Sequence, residues 1–213
     1  MKRGFIFAAG TFFGLRLRPA PGDLVIAADA GALTCDAIGL KPDLLLGDFD
    51  SMEAPPVQAR VIRLPVEKDD TDTVAAARLC AEQGCEEVYI YGGTGGSRLD
   101  HTLANLQTLL FLRRRGVKGY LYDQDFIWTA LENETLHIPR EVEWGLLSVF
   151  AMGETVSGVT LRGVQYPLEN AELRADFPLG VSNHVLEETA QVTVGCGAVA
   201  VGWQLLPLPE ESR

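Results

Sequence analysis

The sequence predicts an α/β N-terminal domain with a mostly parallel, Rossmann-like sheet, followed by a C-terminal all-β sandwich domain. Three observations predict it. Over the first half, short apolar runs alternate with helix-length segments, the pattern of βαβ units and a parallel sheet. After about Asp123 that texture gives way to short β-branched runs between turn signals, as in an antiparallel sandwich or barrel. Finally, four acidic or glycine-rich clusters each follow an apolar run. In an open parallel sheet, ligands bind outside the carboxyl ends of the strands, so one spacing rule places all four on one rim.

Taken in order, residues 4–9 form the first predicted strand and 24–27 the second, followed by a helix over 30–38. Residues 44–46 and 61–64 supply two further strands. A helix over 71–83 has Asp70 or Thr71 as its N-cap and Gly84 as its stop. Residues 88–91 are the next strand. The helix over 100–115 rests on Leu99, Leu103, Leu106 and Leu110 at helical spacing. Arg113, Arg114 and Arg115 complement its dipole and Gly116 ends it. Residues 118–122 close the first half. Beyond the boundary at 123–126, the predicted strands are 126–131, 135–138, 146–151, 155–161, 171–174, 185–189, 191–194 and 198–203.

At 213 residues the chain has room for one large domain or two small ones. Its net charge of −11 argues against non-specific nucleic-acid binding, which needs clustered Lys and Arg. The four cysteines (Cys35, Cys80, Cys85, Cys196) show no CxxC pair, so reduced thiols and a cytoplasmic location are expected. The apolar stretch 4–15 lacks a small-x-small cleavage site and is followed by Arg16 and Arg18, which favours a strand over a signal peptide. No run reaches the roughly 18–20 apolar residues of a membrane span.

The clusters carry the chemistry. Asp48 and Asp50 flank Phe49, and on an extended strand end residues two apart point the same way. Paired carboxylates suit a hard cation such as Mg²⁺, which takes one or two carboxylates plus phosphate and water; a polar turn is the plain alternative. In Lys68-Asp69-Asp70-Thr71-Asp72 the last acid opens a helix, whose free N–H groups and partial positive charge suit phosphate. The glycine loop 92–96 leads through Arg98 to Asp100, with no Gly-Lys-Ser/Thr ending and no Gly-x-Gly-x-x-Gly pattern. Its glycines admit a ligand close to the backbone, and Arg98 offers a phosphate-directed fork. His101 reads as a helix-start residue, since no second His lies nearby.

The ordered series Pro42-Asp43-Leu44-Leu45-Leu46-Gly47-Asp48-Phe49-Asp50-Ser51, Lys68-Asp69-x-Thr71-Asp72, Gly92-Gly93, Arg98-Leu99-Asp100-His101 and Asn105 resembles the signature of the thiamine pyrophosphokinase family. Ala28-Asp29-Ala30-Gly31-Ala32 is similar to its Asp-Gly-Gly-Ala element, with Ala30 in place of a glycine. Gly163-Val164-Gln165-Tyr166-Pro167-Leu168 and Val181-Ser182-Asn183 resemble elements of its β-rich half, so the resemblance runs from about residue 24 to residue 203.

This resemblance implies transfer of pyrophosphate from ATP to the thiamine hydroxyl, giving thiamine diphosphate and AMP. It implies residues 1–124 as the ATP- and Mg²⁺-binding catalytic domain and 125–213 as the thiamine-binding domain. It also implies a homodimer with its active site at the subunit interface, and no nucleic-acid or membrane partner. The implied catalytic set is Asp29, Asp48, Asp50, Asp72 and Asp100, with Mg²⁺ on Asp48, Asp50 and Asp72. Lys68, Asp69, Thr71, Gly92, Gly93, Arg98 and Asn105 take ATP; Tyr166, Ser182 and Asn183 take thiamine. Without the resemblance, Tyr166 reads equally as sandwich core. Rival readings are a diphosphokinase acting on a pterin alcohol, an Asp-x-Asp phosphatase, and a non-catalytic thiamine or nucleotide sensor.

Overall fold

The computed structural model describes residues 1–47, 59–63 and 70–209. Two compact units emerge, one built on Met1–Gln124 and the other on Asp125–Pro207.

Among the described residues the first unit holds six strands: β1 (Arg3–Phe7), β2 (Leu24–Ala28), β3 (Leu44–Gly47), β4 (Arg60–Arg63), β5 (Glu87–Tyr91) and β6 (Lys118–Tyr122). They lie in the order β6-β5-β1-β2-β3-β4, and every pairing is parallel. Helices α1 (Gly31–Ala37), α2 (Asp72–Glu82) and α3 (Leu99–Arg113) connect them. Both sheet faces are covered, which is why the strands read as unbroken apolar runs. On one face Phe5, Phe7, Val25 and Ala27 pack with Ala32 and Cys35 of α1. On the other, Cys80 of α2 reaches Gly4, and Leu109 and Leu112 of α3 reach Gly119.

The second unit is antiparallel throughout its paired strands. One sheet runs β12 (Gly180–His184), β9 (Leu146–Ala151), β14 (Ala198–Gln204), β7 (Phe126–Glu132). The other runs β11 (Leu168–Arg174), β10 (Thr155–Arg162), β13 (Thr189–Thr193), β8 (Thr135–Pro139). A single cluster that includes Leu131, Leu147 and Val201 from the first sheet and Val159, Leu161 and Val192 from the second forms the core. Two sheets sharing one apolar interior make the expected sandwich.

The helix that the leucine spacing predicts is present as α3, but only part of that stripe is buried: Leu110 is buried with Asn105, Thr108, Leu109 and Leu112, whereas Leu99 and Leu103 are exposed. The sheet-facing side includes polar Asn105 and Thr108, which a search for apolar periodicity passes over. One expectation fails: residues 185–189 are not a strand of their own, since Val185 makes only an isolated bridge and Thr189 already belongs to β13. The strand lies just upstream at β12, paired to β9 with a register shift between Gly180 and Asn183, and Ser182 there takes a left-handed φ of 58°. Such a bulge breaks the alternation by which a strand is recognised. At α2 the N-cap is Thr71, whose hydroxyl accepts from Val74 N at 3.3 Å, while Asp70 pairs with Arg78 at 2.6 Å.

One contact holds α1 to the sheet at the closest possible range. A Cβ added to Gly31 would lie 1.8 Å from the Phe7 carbonyl oxygen, and backbone cannot yield as a side chain can. Gly31→Ala should therefore destabilise the protein by about 3 kcal/mol or more, the upper range of overpacking. Gly153→Ala, with nothing within 4 Å of the added carbon, should shift the thermal midpoint far less. Calorimetry of the two variants checks this; equal midpoints would contradict it.

Candidate active site

With all six strands parallel, their carboxyl ends share one edge. The strand order reverses between β1 and β5, since β2, β3 and β4 follow on one side and β6 on the other. Loops leaving such a pair diverge and open a crevice, the usual ligand position in this architecture.

Here the crevice is bounded by the segment after β1 and the glycine loop after β5, and the two are laced by backbone hydrogen bonds. Ala8 N donates to Tyr91 O at 2.8 Å, Gly10 N to Gly92 O at 2.7 Å, and Thr11 N to Thr94 O at 3.0 Å. The approach excludes side chains. A Cβ on Gly10 would sit 2.5 Å from Gly92 O, and one on Gly92, whose φ is 66°, would sit 2.5 Å from Ala8 O. Two side chains then pin the loop from behind. Buried Asn105 donates Nδ2–H to Gly93 O at 2.7 Å, and Thr94 Oγ1 lies 2.9 Å from Asp123 Oδ1.

A cavity of about 330 Å³ opens over this lacework. Its wall is the backbone of the glycine loop with Ser97 and Arg98; Asp29, Asp72, Thr73 and His101 also line it. Asp72 and Thr73 stand in the first turn of α2, so that helix presents its N-terminal end, with its partial positive charge, to the cavity. Asp29 follows β2 with a left-handed φ of 48°, and its carboxylate lies against Gly47, where an added Cβ would be 2.1 Å from Oδ1.

Of the residues expected to act here, Asp29, Asp72, Gly92, Gly93, Arg98 and Asn105 line one cavity. Thr71 caps α2, its hydroxyl oxygen accepting from Val74 N with the O–H still able to donate. Asp100 turns to Arg98, accepting from Nη2 at 2.6 Å and Nε at 2.9 Å. That guanidinium holds the Asp100 carboxyl down to about 2, and both side chains are exposed. Asp48, Asp50, Lys68 and Asp69 lie outside the described residues. Among the described residues no group of three or more His, Cys, Asp or Glu is gathered for a metal ion. The hard oxygen donors that face the cavity, Asp29 and Asp72, still suit Mg²⁺, which needs only one or two carboxylates when phosphate supplies the rest.

The second unit presents a different surface. Tyr166 is 62% exposed and Asn183 only 4%. Asn183 Oδ1 accepts from the N–H groups of Tyr166 and His184, each at 2.9 Å, and Nδ2–H donates to Tyr166 O at 2.8 Å. One buried amide thus clamps both sides of Tyr166's backbone and leaves the phenol ring outward. Ser182, in its bulge, donates its N–H to Ser148 Oγ at 3.2 Å.

Residues that sequence reasoning did not single out also appear. The segment Ala8–Gly10 and Thr73 line the cavity beside the expected groups; small residues ending a strand were the available signal. His101, expected as a helix-start residue, lines it too. In the second unit Trp144 is 55% exposed with φ 56°, a conformation that bulky residues hold only under constraint. Its carbonyl lies 2.7 Å from His184 Nδ1, and the two rings meet edge-on at 5.9 Å. Nothing in the local sequence announces that pair.

Comparison with known proteins separates the halves along the same line. Residues 20–121 match the thiamin pyrophosphokinase catalytic domain, and residues 133–199 its vitamin B1 binding domain. A thiamine pyrophosphokinase of Bacillus subtilis is 30% identical over 169 residues, covering 76% of this chain and 78% of the relative. Thiamine pyrophosphokinase 3 of Oryza sativa is 26% identical over 171 residues, 72% of this chain and 62% of that one. Among solved structures, a thiamin pyrophosphokinase family protein from Enterococcus faecalis superposes with a TM-score of 0.80 at 29% identity, over 95% of this chain and 98% of that one. The Bacillus subtilis enzyme gives 0.81 at 23% identity over 97% and 100%, a likeness of fold. Matched in both halves by the family's own domains, the chain belongs to the thiamine pyrophosphokinase family.

Proposed function

We propose that the chain transfers a pyrophosphoryl group from ATP to the hydroxyl of thiamine, releasing thiamine diphosphate and AMP. The observation that carries this reading is the cavity at the β1/β5 reversal. It joins a glycine backbone, a helix N-terminus, an arginine and two carboxylates, within a chain of this family.

The reaction breaks the bond between the α- and β-phosphates while the thiamine hydroxyl oxygen attacks the β-phosphorus. Little covalent work falls to the protein, so positioning and electrostatics supply most of the rate. The 92–96 backbone and Arg98 hold phosphate oxygens, and Thr71 and Lys68 serve the same nucleotide. Asn105 acts from behind, keeping the loop's carbonyls turned from the phosphates by bonding Gly93 O. Mg²⁺ on Asp72, with Asp48 and Asp50, would supply charge neutralisation for the transferred group, and Asp29 and Asp100 adjoin that set. The Rossmann-like role of the sheet, as a nucleotide platform, is part of the same reading.

Thiamine falls to the second unit. Its cationic thiazolium is attracted to an aromatic face by about 0.5–2 kcal/mol, and Tyr166 offers such a face outward, with Ser182 and Asn183 beside it. We infer a cytoplasmic homodimer in which the cavity of one chain meets Tyr166 of the other. The support for this is the family resemblance, together with a first-unit cavity that carries no Phe, Tyr or Trp among its lining residues. No described helix is long and apolar enough to cross a membrane.

Incubated with ATP, Mg²⁺ and thiamine, the protein should yield AMP and thiamine diphosphate in equal amounts; ADP or free phosphate instead would overturn the reading. Asp72→Asn should cut kcat by roughly 10²–10³, the scale of one preorganised electrostatic contact, with an unchanged circular dichroism spectrum. Tyr166→Ala should raise the thiamine KM about 2- to 30-fold, the stacking energy above expressed as a ratio, and leave the ATP KM unmoved. Mixing Asp72→Asn chains with Tyr166→Ala chains tests the shared site. Assayed with thiamine well below the wild-type KM, where both variants are slow, one intact site per mixed dimer should add about a quarter of wild-type turnover, half of the sites in the half of dimers that are mixed under random pairing. Turnover no higher than the average of the two variants would place both residues in a site made by one chain.

A further inference from the structure

The end of α2 holds a feature the proposed reaction does not use. Gly84 N donates to Ala81 O and Cys85 N to Cys80 O, both at 3.0 Å, with Gly84 at φ 75°. These are the 5→2 and 6→1 bonds of a Schellman motif, in which the residue three from the helix end touches the second residue beyond the cap. An apolar pair ordinarily makes that contact. Here both members are cysteines, Cys80 fully buried and Cys85 3% exposed, so the motif seats their side chains against each other.

The surroundings favour reaction at Cys85. Its thiol is lowered from the ordinary range, first by the hydrogen bond from Cys80, against the cost of burial, and further by Lys2. The Lys2 ammonium is fixed at the helix end, donating to the Gln83 carbonyl at 3.0 Å; Asp23 is the opposing charge. Cys80 is pushed well up, as the proton donor of the pair and as a buried group. A thiol lowered by a neighbouring thiol that can resolve it is an arrangement found in redox-active cysteine pairs. The near-complete burial admits only an oxidant of about the size of water.

We propose that Cys80 and Cys85 form a peroxide-reactive dithiol that closes to a reversible disulfide within the folded chain. The Cys85 thiolate attacks one peroxide oxygen, the O–O bond breaks, and the departing hydroxide takes a proton to leave as water. Cys85 is then a sulfenic acid. The Cys80 sulfur attacks it, its proton passing to the departing hydroxyl; the S–S bond forms, the S–O bond breaks, and a second water leaves. Two thiols are oxidised by two electrons and one peroxide is reduced to two waters. The motif already brings the two residues together at the end of α2, and the cross-link fixes the end of the helix whose first turn supplies Asp72 and Thr73 to the cavity.

The test is to treat the native protein with stoichiometric hydrogen peroxide, alkylate it in denaturant, and map it by mass spectrometry. Both cysteines fall in the tryptic peptide 79–98. That peptide should be recovered two hydrogens lighter and unalkylated, and dithiothreitol should restore two alkylations. In Cys85→Ser, peroxide should leave Cys80 reduced and alkylated. The proposal is overturned if the wild-type peptide emerges doubly alkylated while exposed Cys196 is oxidised, if Cys85 passes to a sulfinic acid without cross-linking, or if the cross-link forms only once the protein is unfolded.

Discussion

The first unit depends on how closely two backbones approach at the β1/β5 reversal. Three hydrogen bonds lace the segment after β1 to the loop after β5, at a distance only glycine permits at positions 10 and 92. Once that lacing is in place the rest follows from it. The loop cannot collapse into the crevice, because its own carbonyls at Gly92 and Thr94 are engaged by Gly10 and Thr11 and that of Gly93 by Asn105. What remains is a rigid, glycine-lined wall over which α2 presents its N-terminus. An anionic ligand meets a site organised beforehand, which is the condition for electrostatic catalysis without a reorganisation cost. For the proposed reaction the chain's net charge of −11 makes that local arrangement more necessary: attraction for phosphate would have to come from helix ends, Arg98 and a cation rather than from the protein's overall field.

The second unit uses the same device with different chemistry. A buried side chain, Asn183, fixes the backbone of an exposed one, Tyr166. An aromatic ring held by its backbone keeps its face available and loses little freedom when a ligand stacks on it. Asn105 and Asn183 thus do comparable work in the two units. Each is 4% exposed and each bonds the main chain of a segment that faces outward. Both belong to the residues on which the family resemblance rests, and the hydrogen bonds give a physical reason for asparagine at both places: each amide donates to a backbone carbonyl, which an ionised aspartate cannot do.

Much of this was legible in the sequence because it follows from local rules. Strands buried on both faces announce themselves as apolar runs, and parallel pairing carries their ends to one edge, so Asp29, Asp72 and the glycine loop could be placed together before any coordinates. The failures have a common cause as well. α3 buries polar Asn105 and Thr108 beside Leu109, Leu110 and Leu112, which apolar spacing does not mark. β12 is bulged at Ser182, and Trp144 holds its left-handed conformation in contact with His184, a residue 40 positions away. Polar burial, bulges and long-range backbone strain are set by tertiary partners, and no periodicity in a single segment encodes them. The Cys80–Cys85 contact lies between these cases. Its helix stop at Gly84 was readable, but the meeting of the two thiols required the motif's geometry.

A crystal structure with an ATP analogue bearing a methylene between its α- and β-phosphorus atoms, together with Mg²⁺, tests the central claim most directly. The account predicts phosphates in the cavity, within hydrogen-bonding reach of the 92–96 amides and Arg98, with the metal touching Asp72. The bonds from Ala8, Gly10 and Thr11 to the β5 side should be unbroken. Phosphates bound elsewhere, or a ligand admitted only after those bonds part, would contradict it.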